Sequence, residues 1–142
     1  MRSRALRGLI ALAAAGTATA VIPARAQAPG RVEVTLEAPR ALVAGDRAEV
    51  VAVVRIEPAN DLPLLVTPRS EGAAVEVVRG RLLRADAEDP TAVPLRFRLP
   101  IVARGAGTSV FRVRVSGWAC DRRCAQVTGD ASAVLRVERE RD

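Results

Sequence analysis

The chain has 142 residues, enough for one domain and too few for two. All 22 of its basic residues are arginine, and it contains no lysine, histidine or tyrosine. That excludes a histidine base, a Schiff-base lysine, a phenolic acid and the commonest zinc or copper ligand.

Arg2, Arg4 and Arg7 open the chain without an acid, an apolar run follows from Leu9 to Ile22, and Ala24-Arg25-Ala26 closes the segment with small residues at two alternate positions. This is the order of a cleavable secretory signal, with cleavage expected after Ala26. The apolar run falls short of the about 20 residues a membrane span needs, so no stable span is expected after cleavage. The expected organisation is a signal peptide over 1–26 and one domain over 27–142, in a periplasmic or secreted protein. Removing Arg2, Arg4, Arg7 and Arg25 lowers the formal charge from +6 to +2. With Phe97, Phe111 and Trp118 as the whole aromatic complement, the chain also lacks the stacking surface of a single-strand nucleic-acid binder, and no nucleic-acid partner is expected.

The mature chain then reads as strands. Arg31 to Glu37 alternates strictly, with Val32, Val34 and Leu36 on one face, the period of a half-buried strand. Ala44-Gly45-Asp46 is a turn. Ala48 to Ile56 carries valines on both faces and reads as a central strand covered on both sides. Pro58, Pro63 and Pro68 follow, which makes Leu62 to Thr67 an edge strand at best. Val75 to Val78 and Arg81 to Arg84 are short strands around Arg79-Gly80. Asp86, Glu88 and Asp89 form an acidic loop without calcium-loop spacing. Leu95, Phe97 and Leu99 alternate with Arg96 and Arg98. Phe111, Val113 and Val115 alternate with Arg112 and Arg114. Ala133, Leu135 and Val137 alternate on the last strand. No helical period appears after the signal. Seven or eight short strands with turns between them predict an all-β, immunoglobulin-like antiparallel sandwich.

If Gly105 is the centre of a hairpin, Arg98 faces Arg112 and Arg96 faces Arg114. Opposed like charges destabilise a sheet. A glutamate on a neighbouring strand (Glu33, Glu37 or Glu138) is the expected neutraliser, an anionic ligand the sharper alternative. Ser109, Ser116 and Ser132 have no histidine to activate them, so a serine hydrolase is excluded.

Cys120 and Cys124 are the only cysteines, in Gly117-Trp118-Ala119-Cys120-Asp121-Arg122-Arg123-Cys124. In an oxidising compartment so close a pair is expected to be bonded. The ring is small: chain entropy assigns it about 2 kcal/mol, against about 4.7 for a hundred-residue loop. One reading is a structural clip that fixes the loop. The other is thiol–disulfide exchange, with Arg122 and Arg123 favouring a thiolate and Asp121 opposing them. Copper sites with paired cysteines add His or Met, and the mature chain has neither, so no metal or other cofactor is expected.

From Val110 to Val137 the chain resembles the N-terminal periplasmic domain of the protein-disulfide reductase DsbD. The similar features are the strand Phe111-Arg112-Val113-Arg114-Val115, then Gly117, an aromatic, Cys120, a short charged spacer, Cys124 and a closing strand. The alternating first strand, Pro39, Ala44-Gly45-Asp46 and the valine-rich strand are similar more loosely. The resemblance implies an immunoglobulin-like fold. It also implies a reactive pair, Cys120 and Cys124, that receives electrons from a thioredoxin-like redox protein and passes them to periplasmic thiol proteins. The spacer is shorter here, and Ala125-Gln126 stands where the family has a proline-rich step.

Overall fold

A computed structural model describes residues 30–142. The expected signal segment and its cleavage point lie outside the described residues. Nine strands form two sheets: β1 (Arg31–Glu37), β2 (Leu42–Val43), β3 (Arg47–Glu57), β4 (Leu65–Glu71), β5 (Val75–Val77), β6 (Leu82–Leu83), β7 (Leu95–Ala103), β8 (Gly107–Cys120) and β9 (Cys124–Glu138). A three-residue 3₁₀ turn, Arg84–Asp86, lies between β6 and β7. The four-stranded sheet has the order β1-β3-β7-β5 and the five-stranded sheet β2-β9-β8-β4-β6. This is the all-β, immunoglobulin-like sandwich that the alternating segments predict.

Period-two patterning builds the core. Val50, Val54, Phe97, Leu99 and Ile101 point inward from the four-stranded sheet, and Val66, Phe111, Val113, Val115 and Leu135 from the five-stranded one, all buried. Val32, Val34 and Leu36 point the same way but stay half-buried, because β1 is an edge strand with β3 alone as its sheet neighbour. Both phenylalanines lie at the centre with no exposed surface. Ser109 is the buried polar exception: its Oγ accepts the Val75 N–H at 3.1 Å, tying β8 to β5 of the other sheet.

Three expectations change. The central strand is not covered on both sides: Val50, Ala52, Val54 and Ile56 are buried, whereas Val51 and Val53 face out and are half-exposed. The proline-containing stretch holds a real strand. β4 pairs along its whole length with β8, but β6 covers only Leu65 and Val66. Pro68 therefore sits where β4 has no second neighbour, the position at which a missing N–H costs no ladder bond.

The third change concerns the arginines. Gly105 does not centre a hairpin. β7 belongs to the four-stranded sheet and β8 to the five-stranded one, so the segment after Ala103 carries the chain from sheet to sheet. Arg98 lies opposite Val51 and Arg96 opposite Val53. Arg112 lies opposite Arg69 on one side and Ser132 on the other. Among the described strands the chain changes sheet at every connection but the last, β8 to β9. That single hairpin carries the cysteines.

Candidate functional site

The cysteines do not sit in a loop between shorter strands, as expected. β8 and β9 run on past Val115 and back from Ala133, and the antiparallel ladder extends without a break from Gly107↔Val137 to Cys120↔Cys124. Asp121, Arg122 and Arg123 make the turn, and the Asp121 N–H donates to the Arg123 carbonyl at 3.1 Å. Cys120 and Cys124 are thus a cross-strand pair at the mouth of a three-residue turn, disulfide-bonded, with Cα atoms 4.0 Å apart. Cys120 is half-buried; Cys124 and all three turn residues are exposed.

The support beneath this tip is made of small residues. Gly117 and Ala119 alternate inward on β8. A Cβ on Gly117 would stand 2.9 Å from Leu64 Cδ1, so the glycine lets that leucine close under the hairpin. Ala119 is fully buried and lies directly against Gly30, where any side chain would collide with the Glu57 carbonyl and the Ala119 methyl. Beside the strand, Asn60 Nδ2 donates to the Trp118 carbonyl at 2.7 Å and to the Pro58 carbonyl at 3.2 Å, while its Oδ1 accepts the Leu62 N–H at 3.0 Å. Asn60 thereby fastens the 58–62 segment to the end of β8, beyond the last residue that β4 covers.

The two predicted site residues, Cys120 and Cys124, come together with a third that sequence reasoning passed over. Trp118 is two positions before Cys120, on the same outward face, and 42% exposed. Its cross-strand partner is Gln126. The period-two rule applied backward from Cys120 locates Trp118 without coordinates; the contribution of Asn60, 58 residues away in sequence, has no local signal. Farther along the same face lie Arg114 and Arg112, joined by Arg69 from β4. A groove of about 220 Å³ opens there between Thr67, Arg69, Arg112, Arg114, Asp130 and Ser132.

A second recess, about 320 Å³, lies beside Asn60, with Ile56, Val93 and Leu95 among its apolar walls and Arg84, whose Nη2 is buried without a hydrogen-bond partner among the described residues, also lining it. The Arg84 Nε–H donates to the Leu62 carbonyl at 2.8 Å. Among the described residues no group of three or more His, Cys, Asp or Glu side chains is arranged to hold a metal ion, and no helix is long and apolar enough to cross a membrane.

No protein family and no curated protein matches the chain. Solved structures do. A crystal structure of native α2-macroglobulin from Escherichia coli, spanning domain MG7 to the C-terminus, aligns at a TM-score of 0.52 and 17% identity, over 78% of this chain and 17% of that one. The cryo-EM reconstruction of the native E. coli protein gives the same score and identity over 76% of this chain and 7% of that one. A PapD-like domain of human CEP192 aligns over 89% of this chain and 98% of that one, at a TM-score of 0.48 and 13% identity. The chain thus spans a small part of the α2-macroglobulin structures it matches. At these identities the likeness is one of fold.

Proposed function

We propose that the protein is an exported thiol–disulfide exchange domain, acting in the periplasm or outside the cell, and that Cys120 and Cys124 are its reacting residues. The observation that carries this reading is where the bond sits. The β8–β9 ladder already holds the two cysteines opposite each other through an unbroken register, so the disulfide adds little to the order of the hairpin. A ring of about five residues also removes little entropy from the unfolded chain, roughly 2 kcal/mol. Cys124 nevertheless stands exposed at the tip. An accessible disulfide of low structural value, beside two arginines that favour the thiolate, is suited to exchange. The DsbD-like pattern around the pair points the same way. The natural partner is a thioredoxin-like redox protein or a periplasmic thiol protein. A partner thiolate attacks one sulfur and the other cysteine leaves as a thiolate; a second thiol of the partner then attacks the partner's own sulfur in the mixed disulfide, which releases the reduced Cys120/Cys124 pair and leaves the partner with the disulfide.

The reading is tested by the reduction potential of the folded domain, measured by equilibration in glutathione or dithiothreitol buffers, alkylation and mass spectrometry. The expected value lies in the range of exchange proteins, roughly −120 to −270 mV. Cys120→Ala and Cys124→Ala, tested separately in the native host, are expected to trap a mixed disulfide in at least one case. A potential below about −300 mV with no trapped partner would instead identify a binding or accessory module whose disulfide pins the Asp121–Arg123 turn.

A further inference from the structure

The outward face of β8 is a single row. Strand alternation places Cys120, Trp118, Ser116, Arg114 and Arg112 on it, opposite the buried Ala119, Gly117, Val115, Val113 and Phe111. From Cys120 to Arg114 is six residues, about 20 Å of strand. The row begins at a disulfide, crosses an exposed indole and ends in a groove of arginines. We propose that this row is a docking track for an extended acidic segment of the thiol partner, with the partner's cysteine at the tip and its carboxylates over Arg114, Arg112 and Arg69. The inference rests on the exchange reading above.

Charge is the argument. Arg69 and Arg112 are directly opposed in the β4–β8 register, an arrangement that destabilises a sheet unless an anion lies between the guanidinium groups. Glu71 accepts the Arg112 Nε–H at 2.8 Å, and Asp130 lies opposite Arg114. Among the described residues, however, neither Arg69 nor Arg114 has an ion-pair partner within 4.0 Å. With Arg122 and Arg123 at the tip, five arginines along the track face three acids, Glu71, Asp121 and Asp130. A guanidinium pair with hydroxyls beside it, here Thr67 and Ser132 on the groove walls, matches carboxylates by charge and by hydrogen-bond geometry. Trp118, midway, offers the desolvated aromatic contact that anchors small interfaces. A six- or seven-residue extended segment reaches from the sulfurs to the groove.

Two synthetic peptides test the track. Each has an N-terminal cysteine and an eight-residue tail, Glu-Gly repeats in one and Ser-Gly repeats in the other. The rate of mixed-disulfide formation with the oxidised domain is followed at low salt by acid quench and mass spectrometry. The peptide thiolate attacks one sulfur, the protein S–S bond breaks, and the released thiolate takes a proton from water, so no further reductant enters. Rates are compared between protein variants for the same peptide, because the acidic tail alters the reactivity of its own thiol. The double change Arg69→Gln/Arg114→Gln, at two exposed positions, is expected to slow the acidic peptide at least tenfold and to leave the neutral peptide unchanged. Arg96→Gln, on the opposite face of the sandwich, should affect neither. Equal slowing of both peptides, no slowing, or an equal effect of Arg96→Gln would overturn the track.

A thiol-free readout separates this proposal from the one it rests on. Trp118 is the only tryptophan, and its fluorescence should shift saturably with an acidic peptide in which serine replaces the cysteine. If neither thiol peptide reacts but the serine peptide still shifts Trp118 in an Arg69- and Arg114-dependent way, exchange fails and docking stands. If both thiol peptides react alike and the serine peptide shifts nothing, docking fails and exchange stands.

Discussion

The two outer faces of the sandwich are built from the same residue types and differ in how their charges are used. On the four-stranded sheet, Arg31 pairs with Glu57 at 2.8 Å and Glu33 at 3.2 Å, Arg96 with Glu37 at 2.9 Å, and Arg98 with Glu88 at 2.7 Å. Glu88 comes from the loop after the 3₁₀ turn, folded back over β7, and also lies 3.7 Å from Arg96. These contacts raise the guanidinium pKa values, first through the hydrogen bonds and then through the nearby carboxylate charge. On the five-stranded sheet the one recorded ion pair, among the described residues, is Arg112 with Glu71. The first face pairs Arg31, Arg96 and Arg98 with carboxylates and leaves Arg47 and Arg55 exposed on β3; the second pairs Arg112 and leaves Arg69 and Arg114, together with a tryptophan and a disulfide, to the solvent. Arg96 is neutralised by Glu37, one of the three glutamates anticipated, which reaches across β3 from β1; Arg98 is paired instead by Glu88 from a loop. The disulfide-bonded pair Cys120–Cys124 lies at the end of the second face.

Since both faces rest on one core, the largest effects are expected from removing its centre. Phe97 backs the paired face and Phe111 the open one, each with no exposed surface. Phe97→Ala and Phe111→Ala should each cost roughly 3–5 kcal/mol in urea unfolding. Near-equal costs would show that the faces differ only outside the core; a much smaller cost for Phe111 would show that the five-stranded sheet packs more loosely.

The faces also meet along one seam, where β1 of the first sheet crosses β9 of the second. A Cβ on Gly129 would lie 2.7 Å from the Val32 carbonyl oxygen and 3.0 Å from Val32 Cγ1. The nearest atom is backbone and cannot swing away, so Gly129→Ala should destabilise by about 3 kcal/mol, the upper end of ordinary overpacking. Denaturant midpoints of the two proteins measure this. A neutral result would mean that the seam opens freely.

Replacing both cysteines, Cys120→Ser with Cys124→Ser, should cost about 2 kcal/mol or less, while Arg112 to Ser132 and the rest of the β8–β9 register persist in amide exchange. The ladder that already aligns the pair is the reason for the low figure. A larger loss would mean that the open face depends on its disulfide for structure, and the exchange reading would weaken accordingly.

The facing of β1, β7 and β8 was legible in the sequence because period two is a local property, and their inward sets all follow from it. β3, with valines at both inward and outward positions, misled the reading of its outer face. Sheet membership was not legible, because a hairpin and a sheet-to-sheet crossing use the same turn residues. Gly105-Ala106-Gly107 reads as a hairpin turn, yet just before it the Arg104 N–H donates to the Ala74 carbonyl at 2.7 Å and anchors a crossing. That single misassignment paired Arg98 with Arg112, residues that lie on opposite faces. The cysteine site was legible as two residues in a short spacing. Its length was hidden because Gly117, Ala119, Gly129 and Ala131 are too small to register as a hydrophobic strand face, although smallness is what lets the hairpin tip lie against Gly30, Leu64 and Val32.

The smallest expected effect concerns acid and two surface carboxylates, Glu76 on the four-stranded sheet and Asp86 in the turn after β6. Glu76 on β5 is held below the ordinary glutamate range, first by the hydrogen bond from Arg104 and then by that guanidinium's charge. Asp86, at the turn leading to β7, is likewise held low, first by the Leu83 N–H at 2.7 Å and then by Arg79 at 2.8 Å. A carboxylate whose folded pKa is depressed contributes stability above its unfolded pKa and loses that contribution as pH falls through the folded value. Stability should therefore decline as pH falls from the ordinary carboxylate range down through the lowered folded values, and Glu76→Gln or Asp86→Asn should flatten that decline. Both groups are at the surface, so each contribution is small and shrinks further in high salt. Carboxyl NMR titration gives the two pKa values directly, and urea unfolding at neutral pH and near pH 3 gives the slope. A decline that is unchanged in both variants would assign the acid sensitivity to other carboxylates.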